Sequence, residues 1–318
     1  MAEQLFENGK RKESVPFYEF VIENEKDSHS DRFLISQYRL FRASQGTDAE
    51  ENWKAVIRFE PYRKRLPENF QLDGLLQLAN LSFTLHRWKE VEKYADELRE
   101  LAMAVYQDEI RKRESKNPTG PFKTERSLVV YYGQGFLLKS VALEMQKSYE
   151  QAKKFVKGYE NLRWFELLDD VGREEVEKFE TWAKANLYTL EILMGNTDIL
   201  DEYVTYLANH PNEILPGLIA ILEASNSHHF CVDHILDTFS GEIASFRNGR
   251  DAVSQDRHFQ FRYHKMLYEF RKNRMEQGIE EALCCLSLLK EMNRPLELDI
   301  LNLIQQKIGR LFLPTNAV

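Results

Sequence analysis

Apolar side chains recur at steps of three and four residues between Leu128 and Tyr159, with one polar interruption in the middle. Such spacing places the apolar side chains on one face of an α-helix. The interruption at residues 146–148 divides the stretch into two helices, and the second helix carries one small residue, Ala152, in its apolar face. A small residue at that point lets two helix axes approach closely. The pattern therefore predicts a helical hairpin.

The same arrangement returns twice elsewhere in the chain. Residues 75–101 contain a leucine-rich helix, a turn at His86, and a second helix with Ala95 on its apolar face. Residues 182–207 repeat the pattern around a turn at Gly195. Because one hairpin cannot bury its apolar face alone, the recurrence predicts a stacked array of helical hairpins.

The repeated unit has a first helix of large, small and aromatic residues, a turn, and a second helix with one Ala between bulky residues. This layout resembles the tetratricopeptide repeat. The resemblance implies an all-α, right-handed superhelical solenoid of tetratricopeptide-like hairpins that forms a single domain over residues 1–318. A break rich in Pro and Gly predicts a loop near residues 116–124. An apolar stretch near residues 296–313 predicts a terminal helix that caps the last repeat.

Composition narrows the classes of function. The formal net charge of −8 argues against broad contact with the phosphates of a nucleic acid. The sequence has no run of about 18 apolar residues, as a membrane span would require, and its charged start is not a signal peptide. We therefore expect a cytoplasmic protein. Its three cysteines are too few for a disulfide scaffold, and we expect them to be reduced.

Three short motifs offer chemistry, and each has a simpler interpretation. The string HHFCVDH at residues 228–234 holds potential zinc ligands, but it straddles a predicted helix start, and zinc needs three or four converging ligands. Gly133 and Gly135 lie inside a helical pattern rather than after a strand, so they do not form a phosphate loop. Asp169 and Asp170 are interpreted as exposed turn acids. Because no nucleophile, base and orienting group occur together, we predict no enzymatic activity, no metal and no cofactor.

Several strings resemble the tetratricopeptide sensor regions of Firmicute transcription regulators, which carry an N-terminal helix-turn-helix before the repeats. The strings are FENGKRKESVPFYEFVIENE, QYRLFRA, RFEPYRKRLPE, WKEVEKYADELREL, YYGQGFLLKSVALEMQKSYEQAKKFVKGY, WAKANLYTLEILMGN and HPNEILPGL. The resemblance covers nearly the whole chain and implies a cytoplasmic receptor for a secreted signalling peptide, as in quorum sensing. No helix-turn-helix precedes Met1, which leaves open an excised sensor region or a natural form without the DNA-binding half. DNA would be contacted only through such a half.

In this scaffold the first helices of the hairpins line a concave groove, where polar residues are candidates for ligand contact. Carboxamides suit a peptide because each offers both a donor and an acceptor to its backbone. They fit plain solvated surface equally well, and an aromatic residue fits either a side-chain pocket or core packing. The predicted peptide-binding residues are Gln37, Gln77, Asn80, Gln134, Tyr132, Asn186 and His264.

Two functions fit these features. The first is a ligand-binding regulatory module that senses a short linear peptide and forms the sensing and protein-interaction part of a bacterial transcription regulator. The second is a static adaptor that holds a partner protein in the same groove, since the scaffold serves both purposes. A homodimer is left open, and no membrane partner is expected.

Overall fold

The computed structural model describes residues 1–46, 48–115, 122–246 and 252–292 together with Asn302, with residues 252 and 253 described by their backbone alone. Among these residues every regular element is a helix and no strand occurs, which confirms the predicted all-α class. The helices are α1 Ala2–Glu7, α2 Arg11–Asn24, α3 Asp31–Ala43, α4 Ala49–Phe59, α5 Glu68–Thr84, α6 Trp88–Glu114, α7 Leu128–Met145, α8 Tyr149–Val156, α9 Asp170–Leu193, α10 Leu200–Ala208, α11 Ile214–His228, α12 Asp233–Thr238, α13 Ser240–Ser245, α14 Ala252–Arg271 and α15 Met275–Glu291.

Six of the described turns share one backbone feature, a residue in the left-handed conformation just after the first helix of a hairpin. These residues are Gly9, His86, Lys147, Gly195, His229 and Asn273. At the turn between α7 and α8, the amide of Lys147 donates to the carbonyl of Glu144 and the amide of Ser148 donates to that of Leu143, each at 2.8 Å. These bonds satisfy carbonyls that a helix end leaves unpaired. The same turn conformation thus recurs in hairpin after hairpin.

The turn between α3 and α4 is held by side chains instead. The carboxamide of Asn52 accepts from the amide of Gly46 and donates to its carbonyl, both at 2.9 Å. The carboxylate of Asp48 caps α4 by accepting from the amide of Glu51 at 2.8 Å. Because glycine commonly follows the last turn of a helix, the sequence predicts that Gly46 closes α3 as a C-terminal cap. The turn does lie at Gly46, but the side chain of Asn52 holds it.

The described chain divides into two compact units, unit 1 at residues 1–184 and unit 2 at residues 185–318, and the division falls within α9. In unit 1, α5, α6, α7 and α8 pack in succession, and α5 also packs directly against α3 and α7. Gly135 marks a close approach of α6 and α7, because a Cβ there would lie 2.8 Å from the carbonyl oxygen of Ala95. Fully buried tyrosines such as Tyr38 and Tyr131 fill this core.

In unit 2, α11 packs against α10 and α14, and α14 packs against α15. The hairpin of α14 and α15 closes on a buried cluster that includes Phe259, Phe270 and Leu289. The absence of a side chain at Gly278 lets the ring of Phe270 lie against the backbone of α15. Each hairpin therefore packs as a pair of amphipathic helices.

The sequence also predicts a single domain, a loop near residues 116–124 and a terminal helix near residues 296–313. The division into two units neither confirms nor contradicts a single repeat domain over residues 1–318, which stays a prediction. Of the loop predicted near residues 116–124, residues 122–124 are non-helical, and the others lie outside the described residues. The terminal helix predicted near residues 296–313 also lies outside them, apart from Asn302. Among the described helices, none is both long enough and apolar enough to cross a membrane.

Candidate functional site

Three of the predicted carboxamides lie on the neighbouring helices α5 and α7. Gln77 and Asn80 stand one turn apart on α5, the first half-buried and the second exposed, and Gln134 is half-buried on α7. None of the three side chains has a hydrogen-bond partner among the described residues. Each therefore keeps its donor and its acceptor available to a ligand.

These carboxamides lie on two helices, α5 and α7, that pack directly against each other. Gln77 follows the buried Asp73 by four residues along α5, and Gln134 follows the buried Tyr131 by three residues along α7, so each pair shares one helix face. Burial is the main cause of the raised pKa of Tyr131, and the charge of Asp73 adds to it. We call the surface formed by Gln77, Asn80 and Gln134 the carboxamide face.

Gln37 and Tyr132 differ from these three carboxamides in their surroundings. Gln37 is buried on α3, and its Oε1 has no partner among the described residues. Tyr132 packs edge-on against Phe136 and Trp164, with ring centroids 5.1 and 5.6 Å away, and burial raises its pKa. Because Tyr132 and Gln134 are two residues apart on a helix, they project in nearly opposite directions. The peptide-binding roles of Gln37 and Tyr132 stay predictions.

The other two predicted residues belong to unit 2. Asn186 is half-buried on α9. His264 lies on α14 with a side chain that is 15% exposed, and its Nε2 is 4.0 Å from Oε2 of Glu223, at the limit of an ion pair. Its Nδ1 has no partner among the described residues, and burial lowers its pKa to about 4. His264 is therefore neutral at pH 7.

A buried charged cluster joins α3, α5 and the segment before α7, and the sequence did not single it out. The carboxylate of Asp73, 1% exposed, accepts a short hydrogen bond from the hydroxyl of Tyr38 and another from Nη1 of Arg42 at 2.5 Å. Nη1 of Arg42 also donates to Tyr38 at 2.6 Å and to Glu125 at 3.3 Å. Arg39, one turn earlier on α3, donates to Glu125 at 3.3 Å and to Glu3 on α1 at 3.1 Å. We call these residues, together with Tyr131, the α3 arginine cluster.

Three polar atoms of this cluster have no partner among the described residues. They are Nε of Arg42, Oδ1 of Asp73 and the hydroxyl of Tyr131. Burial raises the pKa of Asp73, although the hydrogen bond from Tyr38 and the charge of Arg42 oppose that shift. Native proteins seldom leave such buried groups unpaired. The one signal in the sequence is the pair of arginines three residues apart in QYRLFRA, whose partners are distant in the chain.

Residues of the string HHFCVDH make structural contacts within unit 2. Nε2 of His228 lies 2.9 Å from the carbonyl oxygen of Leu193, and His229 is the left-handed residue that ends α11. Asp233 forms an ion pair with Arg274 and accepts from the hydroxyl of Tyr268 at 2.7 Å. The described residues contain no group of three or more His, Cys, Asp or Glu side chains that could hold a metal ion.

Comparison with protein-family models, with curated proteins and with solved structures gives no match to this chain.

Proposed function

We propose that the chain is a non-enzymatic, ligand-binding regulatory module of the tetratricopeptide type, whose carboxamide face binds a short linear peptide. In this proposal it forms the peptide-sensing and protein-interaction part of a bacterial transcription regulator. DNA would be contacted only through an attached helix-turn-helix. The strings that resemble Firmicute regulators support this assignment.

The repeated turn supports the scaffold half of the proposal. Six of the described hairpin turns end their first helix in the same left-handed conformation, and in unit 1 the second helices α2, α4 and α6 each pack between two first helices. Stacked hairpins with one shared turn are what a repeat array requires. In such an array α3, α5 and α7 would be neighbouring first helices of one groove.

The proposal that the chain binds a peptide rests on one observation. The side chains of Gln77, Asn80 and Gln134 have no hydrogen-bond partner among the described residues. An extended peptide presents alternating amide and carbonyl groups, and a carboxamide can pair with one of each. Asparagine also contributes little to helix propensity, so Asn80 in the middle of α5 is not explained by helix formation. A peptide laid across α5 and α7 would satisfy all three side chains.

Affinity selection tests this proposal. The full chain is incubated with a synthetic pool of random heptapeptides, retained peptides are identified by mass spectrometry, and the best one is titrated calorimetrically. Truncation in the Asn80→Ala or Gln134→Ala variant should weaken binding by about 1 to 3 kcal/mol, because each removes a sheltered hydrogen bond.

The matched control is Gln107→Ala, which removes an exposed carboxamide on α6 that has no hydrogen-bond partner among the described residues. Its affinity should equal that of the wild type. If Asn80→Ala and Gln134→Ala also bind with unchanged affinity, the carboxamide face is not the peptide site. Retention of no peptide by any protein would contradict peptide sensing itself.

A further inference from the structure

Glu125 contacts two arginines of α3 at once, although it lies far from them in the sequence. Each of its carboxylate oxygens meets one guanidinium at 3.3 Å, Oε1 on Arg39 and Oε2 on Arg42. Ion pairs of well-formed geometry are shorter, as in Arg63 and Glu97 of the same unit, which meet at 2.8 and 2.9 Å. The Glu125 side chain is also 44% exposed. The ion pairs of Glu125 with the two arginines are therefore weak.

Neither arginine depends on Glu125 for its charge balance. Arg42 is paired with buried Asp73 at 2.5 Å, and Arg39 is paired with Glu3 at 3.1 Å. Removal of Glu125 would leave each guanidinium with one carboxylate. The contact with Glu125 is thus an addition to a cluster that is already neutral without it.

Three of the five N–H donors of Arg42, one on Nε and two on Nη2, make no hydrogen bond to a described residue. All of its contacts run through Nη1, while Nε is buried without a partner and Nη2 makes no hydrogen bond to a described residue. The Arg42 side chain is only 10% exposed. Nε and Nη2 together form the edge that binds a carboxylate through two parallel hydrogen bonds. A buried guanidinium with this edge unpaired indicates a missing anionic partner.

Space for a ligand lies beside Glu125. A cleft of about 610 Å³ is bounded by Glu125 and its neighbours in the segment before α7, and by Leu167 and Asp169 before α9. Clefts of this size hold small ligands or the end of a peptide. Glu125 lines this cleft and also contacts Arg39 and Arg42, so it connects the cleft to the two arginines.

We propose that Glu125 is a placeholder in an anion site formed by Arg39 and Arg42, and that a carboxylate of a bound peptide takes its place. This inference rests on the proposed peptide-binding function and names the chemistry of the ligand. The carboxylate comes either from an acidic side chain or from the C-terminus of the peptide. Binding then replaces the weak contacts of Glu125 with Arg39 and Arg42 by ion pairs with the ligand, and it detaches the segment before α7 from α3.

The test uses four synthetic pools of random heptapeptides, with or without Asp and Glu, and each with a free or an amidated C-terminus. The full-length wild type is compared with Glu125→Gln, Arg39→Gln and Arg42→Lys, and circular dichroism checks the fold of each. Arg42→Lys preserves the charge beside Asp73 but removes the two-pronged edge. Glu100→Gln and Arg32→Gln are controls, since both residues are exposed in unit 1 and neither forms an ion pair with a described residue.

Wild type should retain peptides that carry a carboxylate, and Glu125→Gln should retain them more strongly. The gain should be roughly tenfold if Glu125 occupies the site for about nine-tenths of the time. Arg39→Gln and Arg42→Lys should lose the preference for carboxylates, while the two control variants keep that of the wild type. Comparison of free and amidated pools without Asp and Glu shows whether the carboxylate is C-terminal.

The inference is overturned if Glu125→Gln and wild type retain the same peptides to the same extent. It is also overturned if the amidated pool without Asp and Glu, which has no carboxylate, is retained as well as the other pools. In that case peptide binding that depends on Asn80 would still support the proposed function. If no pool is retained by any protein, the proposed function fails and the placeholder role fails with it.

Discussion

Small side chains determine where helices can touch, and Ala152 is the example that the sequence pattern singles out. It is fully buried on α8, which packs against α7. The Ala152→Leu variant should be less stable by about 1 to 3 kcal/mol, because three extra carbons have no space between the helices. Thermal unfolding measures the effect. Ala104→Leu is the control, since Ala104 is exposed on α6 and leucine is well tolerated on a helix surface. Equal melting temperatures for both variants would remove the packing role of Ala152.

Burial of a titratable ring makes a second prediction at the residue scale. The pKa of His264 falls from its ordinary 6.5 to about 4 in the folded protein, because burial disfavours the charged ring. Below pH 6.5 the unfolded chain takes up a proton that the folded chain does not. The contribution of His264 to the free energy of unfolding is therefore fully present above pH 6.5. It is lost as the pH falls towards 4, by about 1.4 kcal/mol per pH unit.

Melting temperatures at pH 7.5, 6 and 5 check this for wild type and His264→Gln. The difference between them should shift in favour of the variant as the pH falls. His29→Gln is the control for the replacement of an exposed histidine. If the melting temperatures of wild type and His264→Gln change in parallel with pH, the His264 ring takes up its proton in the folded protein as it does in the unfolded chain.

At the scale of helices, glycine sets the distance between α6 and α7. A Cβ on Gly135 would lie 2.8 Å from the Ala95 carbonyl oxygen and 2.8 Å from Cβ of Arg99, which is closer than such atoms approach. The Gly135→Ala variant should therefore cost about 1 to 3 kcal/mol, despite the better helix propensity of alanine. Gly241→Ala, in open space on α13, should be neutral or stabilise by no more than about 1 kcal/mol. Thermal unfolding of both variants compares the two effects, and a stabilised Gly135→Ala variant would contradict the close approach.

Helical hairpins are also the level at which sequence reasoning succeeds. The polar interruptions at His86, Lys147 and Gly195 coincide with left-handed turns, because apolar periodicity stops where a helix can no longer face its partner. Which hydrogen bonds close a turn is less predictable. Gly46 was expected to close α3 as a C-terminal cap, whereas the carboxamide of Asn52 holds that turn from α4.

The whole chain should give the far-ultraviolet circular dichroism spectrum of a nearly pure α-helical protein. All regular elements of the described residues are helices, and alternating β-branched runs are rare in the sequence. Recording the spectrum of the full chain in dilute buffer is sufficient. A substantial strand component would contradict the fold class, whereas loss of signal on heating would follow the unfolding of both compact units.

The candidate site was only partly accessible to sequence reasoning. Gln77, Asn80 and Gln134 could be found because polar residues in apolar helical stretches stand out against the pattern. Tyr132 could not be assigned to pocket or core, since its neighbour Trp164 lies in a different segment and its proximity is a product of folding. Conversely, apart from their spacing of three residues, nothing local distinguishes the largely buried Arg39 and Arg42 from exposed arginines.

The sequence by itself determined the helical class and the positions of most hairpins, because helix periodicity and turn chemistry act over a few residues. Only the tertiary structure brought Arg42 to Asp73 and to Glu125, which lie 31 and 83 residues further along the chain. Charged residues so far apart in the sequence interact strongly only when the packing of α3, α5 and α7 brings them together and removes the water between them. The same burial leaves Nε of Arg42 without a partner among the described residues, and no pattern of residue types shows which hydrogen bonds a fold leaves unmade.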